Sequence, residues 1–279
     1  MKDWPQDHID HAGIALRYFR SGGDRPPLVL VHGYTDNALY FTRLADHLAA
    51  EWDVVAYDGR GHGATPWDGK RFSDTERVDD LVAVITMLEL DRPALVGHSM
   101  GAAAIGFAVA AHPGISRGLV LEDPAWWDAP GASDDTEAVA TGTRLSAEQS
   151  AWRDSLAALH DMTPTERIAW RRADSPQWTD DDVDLSIAAR LEMDLGIFDE
   201  FRLRGDRWQD AVGGLDCPSL LLTGENALGA IVSPTLAATA ATLNPQVRWH
   251  HVAGAGHAVR YDRFDEYLAA VDPFLDELR

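Results

Sequence analysis

The chain has 279 residues, 46% hydrophobic and 25% charged, which is ample apolar surface for a core and too much for a mainly disordered chain. Its 24 Lys+Arg stand against 45 Asp+Glu, a net charge of −21. Binding to nucleic acid or to anionic membrane depends on Lys and Arg meeting phosphates, so neither is an expected partner.

The length suits one large domain or one domain with a sizeable insertion. No apolar run approaches the roughly 18–20 residues of a membrane span. The opening Met1-Lys2-Asp3-Trp4-Pro5-Gln6-Asp7 lacks a basic segment followed by an apolar one, so no signal peptide is expected. Cys217 is the single cysteine, so an internal disulfide is impossible. A soluble, cytoplasmic protein is the expectation. Lys2 and Lys70 are the only lysines, and Asp greatly outnumbers Glu. A solubilising acidic surface and adaptation to high salt both fit that balance.

Taken in chain order, short apolar runs recur at 27–31, 53–57, 93–97, 118–122, 218–223 and 246–250. Continuous rather than alternating apolar runs mark strands covered on both faces, as in a parallel sheet. Between the second and third runs, Val78, Leu81, Val82, Ile85 and Leu88 fall at helical spacing, and 101–111 reads as a small-residue helix. Strand alternating with helix predicts a doubly wound α/β fold.

The rhythm breaks from Pro124 to about Asp206. No convincing strand occurs there, and the pattern is helical, broken at Pro130-Gly131, Pro164 and Pro176. Five of the ten tryptophans lie in this stretch: Trp126, Trp127, Trp152, Trp170 and Trp178. Three segments are therefore expected: core 1–123, a helical cap 124–206 and core 207–279. A cap would cover the strand ends, where open α/β sheets place ligands. Each tryptophan singly suits a small helical core; together, Trp126 and Trp127 above all, they suit a pocket.

The motif Gly97-His98-Ser99-Met100-Gly101 follows a predicted strand and precedes a predicted helix. Such a turn is too tight for side chains two residues either side of the serine, and glycine removes them. Ser99 is thereby presented at the helix N-terminus, where the dipole favours developing negative charge.

With these residues in view, the chain resembles the α/β-hydrolase family over almost its whole length. His32-Gly33-Tyr34 is similar to the family's oxyanion turn, and 58–63 (Asp-Gly-Arg-Gly-His-Gly) to its glycine-rich loop after the next strand. Gly254-Ala255-Gly256-His257 resembles the loop bearing its catalytic histidine. The resemblance implies a mostly parallel sheet flanked by helices, with the cap inserted after the sixth strand. It implies Ser99 as nucleophile and His257 as base, and as oxyanion donors the backbone N–H groups of Tyr34 and Met100. No cofactor is implied. No two histidines share one helix at metal-ligand spacing, so no metal is expected either.

Other titratable groups have plainer readings. His32 and His62 sit in glycine-rich turns and read as structural, His98 should point away from the nucleophile, and His250 and His251 close the last strand. Cys217 reads as an unreactive filler.

The triad acid departs from the family's common pattern. Most members carry an Asp a few residues beyond the strand that here reads 219–224, but this chain continues Glu225-Asn226-Ala227-Leu228-Gly229. Some branches, haloalkane dehalogenases and zearalenone-type lactonases among them, carry it after the strand leading into the cap, where Asp123 stands. Asp123 is favoured, Glu225 is the alternative, and Glu122 comes third.

Ser99 in place of a carboxylate argues against dehalogenase or epoxide-hydrolase chemistry. The resemblance then implies a serine esterase or lactonase. The negative field and aromatic cap favour a small, neutral to moderately apolar ester or lactone. A C–C hydrolase, a cofactor-free haloperoxidase-like enzyme and a hydrolase-fold receptor remain alternatives on the same scaffold. Homodimerisation is compatible with the sequence and not specified by it.

Overall fold

The computed structural model describes residues 1, 3–70, 72–126, 147–200 and 208–279. Eight strands form one sheet: β1 (Gln6–His11), β2 (Ile14–Arg20), β3 (Pro27–Val31), β4 (Asp53–Tyr57), β5 (Ala94–His98), β6 (Gly118–Glu122), β7 (Ser219–Thr223) and β8 (Val247–His251). Their spatial order is β1-β2-β4-β3-β5-β6-β7-β8. β1 and β2 pair antiparallel, as do β2 and β4, and every other pairing is parallel. The chain thus winds outward from β3 to β4 and then crosses back to β5. That reversal opens a crevice beyond the C-terminal ends of β3 and β5.

The six apolar runs are β3 to β8, with ends shifted by one residue at β5, β7 and β8. Their continuity has a packing cause. Along the inner strands, Val29, Val55, Leu95, Leu119 and Leu221 belong to the core on one face. Their neighbours Leu30, Val54, Val96, Val120 and Leu222 belong to the core on the other. Both faces need apolar residues, so alternation disappears. β8 is the exception: Arg248, Trp249, His250 and His251 are exposed on an edge strand.

The β1–β2 hairpin was not expected from the sequence. Gln6–His11 is polar and buries only Ile9, so it carries no apolar run. Its turn is Ala12-Gly13, both at positive φ (53° and 81°), the backbone a two-residue hairpin loop demands.

Helices cover both faces: α1 (Thr42–Leu48), α2 (Asp74–Met87), α3 (Met100–Ala111), α4 (Ala147–Ala158), α5 (Pro164–Asp174), α6 (Asp180–Leu191), α7 (Ile197–Glu200), α8 (Trp208–Gly213), α9 (Pro234–Leu243), α10 (Val259–Asp262) and α11 (Phe264–Asp276). α4 to α7 follow β6, and no strand occurs among the described residues between β6 and β7. α5 and α6 begin with reciprocal caps, Thr163 with Glu166 and Thr179 with Asp182, each pairing two otherwise orphaned backbone groups.

These inserted helices dock on the core through two apolar patches. Leu156, Leu159, Ile197 and Phe198 pack with Tyr34 and Met100. Val183, Ile187 and Trp178 pack with Tyr40 and Tyr261. Polar ties join them, including Trp178 Nε1 donating to Asp262 Oδ1 (2.7 Å) and Asn37 Nδ2 to Glu192 Oε2 (2.8 Å). Among the described residues no helix is long and apolar enough to cross a membrane.

Candidate active site

Ser99 follows β5 directly and caps the N-terminus of α3, at φ 54° and ψ −118°. A non-glycine residue with positive φ is strained by about 1–2 kcal/mol. Close packing enforces it. A Cβ on Gly101 would stand 2.1 Å from the Val31 carbonyl oxygen, and one on Gly97 would stand 2.7 Å from the Ala102 nitrogen. With both glycines present, α3 sits hard against β3 and β5 and Ser99 is held out at the strand end. The Ser99 N–H is tied to the Glu122 carbonyl at 2.9 Å.

Asp123 is built the same way one strand over. It follows β6 directly, has φ 39°, and donates its N–H to the Leu222 carbonyl at 2.9 Å. Its side chain is fully buried, and its carboxylate meets three donors. The N–H groups of Ile231 and Val232 reach Oδ2 and Oδ1 at 2.8 and 2.9 Å, and His257 Nδ1 lies 2.6 Å from Oδ2. Two fixed backbone donors orient the carboxylate, so it can fix one imidazole tautomer. That contact leaves His257 Nε2 as the nitrogen able to take a proton. His257 and Ser99 line one cavity of about 750 Å³.

Glu225 and Glu122 occupy other posts. Glu225 Oε1 accepts from the Gly254 N–H at 2.6 Å, and the Glu225 N–H donates to the Ala255 carbonyl at 2.7 Å. It braces the loop that carries His257 and makes no bond to the ring. Glu122 is buried against Arg260, accepting from its Nη1 at 2.7 Å and from its backbone N–H at 2.9 Å.

Met100 opens α3, so its N–H has no intrahelical acceptor and points where an anion would be favoured. The Tyr34 carbonyl is held by His62 Nε2 at 2.6 Å, which fixes the turn carrying the Tyr34 N–H. His62 and His32 are both buried, and burial lowers both imidazoles, His62 to about 4. Both read as structural groups, as their glycine-rich surroundings suggest; His62 spans two carbonyls, with its Nδ1 2.9 Å from that of Arg60, and burial outweighs both contacts.

His98 differs from expectation. Rather than turning away, it lines the cavity with its ring centroid 4.7 Å from that of His257. Its Nδ1 lies 2.9 Å from Asp36 Oδ2 and its Nε2 lies 3.2 Å from the His257 carbonyl. The side chain therefore links the turn after β3 to the backbone of the base. A residue between glycine and nucleophile gives no sign in sequence of which partner it will find.

Trp126 also lines the cavity, but it is 3% exposed, lies in the main core and stacks on Trp208 at 5.2 Å. It is wall and core together. Trp127 and the expected cap boundary at 206 lie outside the described residues. Trp152, Trp178 and Trp208 border the same space. So do Arg77, Arg171 and Arg190, which the sequence did not mark because lone arginines on helices are common. Among the described residues no cluster of three or more His, Cys, Asp or Glu is arranged to hold a metal ion. Cys217 is buried, and burial raises its thiol to about 12, which leaves it protonated and inert.

Comparison with known proteins gives concordant results. The pattern of the Alpha/beta hydrolase family matches residues 28–270. The chain is 28% identical over 271 residues to 2-(acetamidomethylene)succinate hydrolase of Mesorhizobium japonicum, covering 96% of this chain and 94% of that one. It is 28% identical over 277 residues to N-formylmaleamate deformylase of Pseudomonas putida, covering 96% of each. Among solved structures, the N-formylmaleamic acid deformylase of Pseudomonas putida S16 superposes with a TM-score of 0.78 at 23% identity, covering 96% of this chain and all of that one.

Proposed function

The chain belongs to the alpha/beta hydrolase family, and from that premise we propose that it is a serine hydrolase acting on a small ester or lactone through an acyl-enzyme on Ser99. The observation carrying this reading is the 2.6 Å contact of His257 Nδ1 with buried Asp123, in a cavity that Ser99 also lines.

His257 Nε2 takes the Ser99 proton as Oγ attacks the acyl carbon, and Asp123 stabilises the imidazolium that results. The oxyanion is met by the N–H groups of Met100 and Tyr34, whose peptides are fixed before substrate arrives. His257 then returns its proton to the leaving group. Water, activated by the same nitrogen, releases the acid. In this reading 124–206 is a cap that shapes the cavity.

A second reading has support of its own. The names of both curated relatives describe N-acyl compounds, an acetamidomethylene and an N-formyl group. The same machinery cleaves such a bond if a proton reaches the leaving nitrogen, so N-acyl substrates belong beside esters and lactones.

A fluorophosphonate probe tests the nucleophile. One label per chain should map to Ser99, and Ser99→Ala should abolish it. A panel of short esters, lactones and N-formyl or N-acetyl compounds then separates the two readings. Labelling elsewhere, or Ser99→Ala turnover equal to wild type, would overturn the serine mechanism.

A further inference from the structure

Two arginines of the cavity form no ion pair among the described residues, although Asp36, Asp74, Asp174, Asp262 and Glu148 also line it. Arg171 on α5 and Arg190 on α6 both line it, and both bond to one buried hydroxyl. Arg171 Nε donates to Ser186 Oγ at 2.9 Å and Arg190 Nη1 at 2.6 Å, with Arg190 Nη1 also donating to the Ser186 carbonyl at 2.9 Å. Arg171 is 9% exposed and its guanidinium lies 4.0 Å above the Trp178 ring. The Tyr40 hydroxyl lies beside it.

No carboxylate forms an ion pair with either guanidinium among the described residues. The arginines near them do pair: Arg43 with Asp182 and Arg172 with Asp180. Asp36 and Asp174 act on this pair only through space, and Asp36 is already bonded to His98 and the Gly33 N–H. Burial, followed by the neighbouring Arg190, pushes the Arg171 guanidinium below its usual range.

Two like charges held together in a half-closed cavity cost stability unless an anion completes them. Planar guanidinium forks suit a carboxylate, which accepts two parallel hydrogen bonds. The stacked Trp178 and the bond to Ser186 hold Arg171 in place before any ligand arrives.

We propose that Arg171 and Arg190 form a carboxylate clamp, so that the acyl compound processed at Ser99 carries a free carboxylate away from the bond that is cleaved. This rests on the serine-hydrolase reading and deepens it. It also reverses the preference for a neutral substrate, because among the described residues neither the acids behind the net charge of −21 nor those elsewhere in the lining form ion pairs with these two guanidiniums. Global charge sets long-range steering, whereas paired donors at contact distance set selectivity.

The test compares benzoate with benzamide, which match in size and differ in charge, by calorimetric titration of the full-length Ser99→Ala variant in low-chloride buffer. Benzoate should bind at least about tenfold tighter, as charge-assisted bonds exceed neutral ones. That ratio should fall toward one in Arg190→Gln and in Arg171→Gln, and Arg190→Lys should restore part of it. Arg190 is the less buried of the two, so its variants keep the test readable if Arg171→Gln misfolds. Equal affinity for the two probes in Ser99→Ala, no binding of benzoate, or a ratio unchanged in Arg190→Gln would each overturn the clamp. The assay needs no turnover, so its failure is distinct from a failure to label Ser99, which would overturn the hydrolase reading.

Discussion

The strand ends and the inserted helices build the cavity by different means. At the ends of β5 and β6, Ser99 and Asp123 leave the sheet in strained left-handed conformations, each pinned by a backbone bond to the adjacent strand. Their positions follow from sheet register, which packing on both faces makes hard to alter. In α5 and α6, by contrast, Arg171 and Arg190 are placed by side-chain contacts on a separate patch of core. A geometry needed to within tenths of an ångström sits on the pleated sheet. The proposed carboxylate clamp sits on helices outside the sheet, between β6 and β7.

That contrast can be broken first at the acid. Asp123→Asn should lower kcat by roughly 10³–10⁴-fold, because it removes the charge that stabilises the imidazolium and admits the wrong tautomer. Glu225→Gln should cost less than about tenfold, since it keeps an acceptor for the Gly254 N–H that Glu225 now braces. Steady-state kinetics on any turned-over ester ranks the two. The reverse ranking would move the orienting acid to the β7 loop.

The elbow comes next. Gly101→Ala would drive a methyl to within 2.1 Å of a backbone oxygen on β3, and neither strand nor helix can yield locally. The expected loss is about 3 kcal/mol or more, at the upper end for an overpacked core. Chemical denaturation reads it directly. A stable, active variant would show that the helix has room the packing denies.

Much of this site was legible in sequence because its signals are backbone signals. Gly97 and Gly101 announce the elbow, and the six apolar runs announce strands buried on both sides. Asp123 stood out because no Asp follows β7 at the usual place. The hairpin at 6–20 was silent because an edge strand buries little: Ile9 alone in β1. The arginine pair was silent for another reason. Arg171 and Arg190 are 19 positions apart on two helices, and only the meeting of those helices at Ser186 brings their charges together. His98 likewise gained its partners from Asp36 and the His257 loop, contacts that no local spacing encodes.

On the helices between β6 and β7, Trp152 sharpens the comparison better than Trp126. It is 39% exposed, lines the cavity and has its ring centroid 5.2 Å from that of Tyr34. Trp152→Ala should shift KM or substrate preference by about three- to tenfold while changing stability by less than about 1 kcal/mol. Trp126→Ala should lose both, because the same ring is part of the main core. Paired KM and thermal-melt measurements on the two variants separate wall from core. Equal behaviour would mean the cavity wall and the sheet core are one unit.

A pH-dependent effect belongs to the histidines beneath the oxyanion turn. His62 is 1% exposed, and burial, then the nearby His32, lower its imidazole from 6.5 to about 4. His32 is lowered as well, chiefly by burial. In the unfolded chain both regain ordinary values, so below about pH 6.5 that chain binds protons the folded protein refuses. Stability therefore rises with pH across this window: it is fully present above about 6.5 and is lost as pH falls toward about 4. For His62 the slope approaches one proton, up to about 1.4 kcal/mol per pH unit. Ordinary carboxylates titrate mainly below pH 5, so the interval from 6.5 to 5 isolates the histidines. Denaturation midpoints taken there should fall steadily, and His62→Gln should flatten the trend even if its absolute stability is lower. A flat wild-type profile would mean that water reaches His62 in solution, and with it the peptide that presents the Tyr34 N–H.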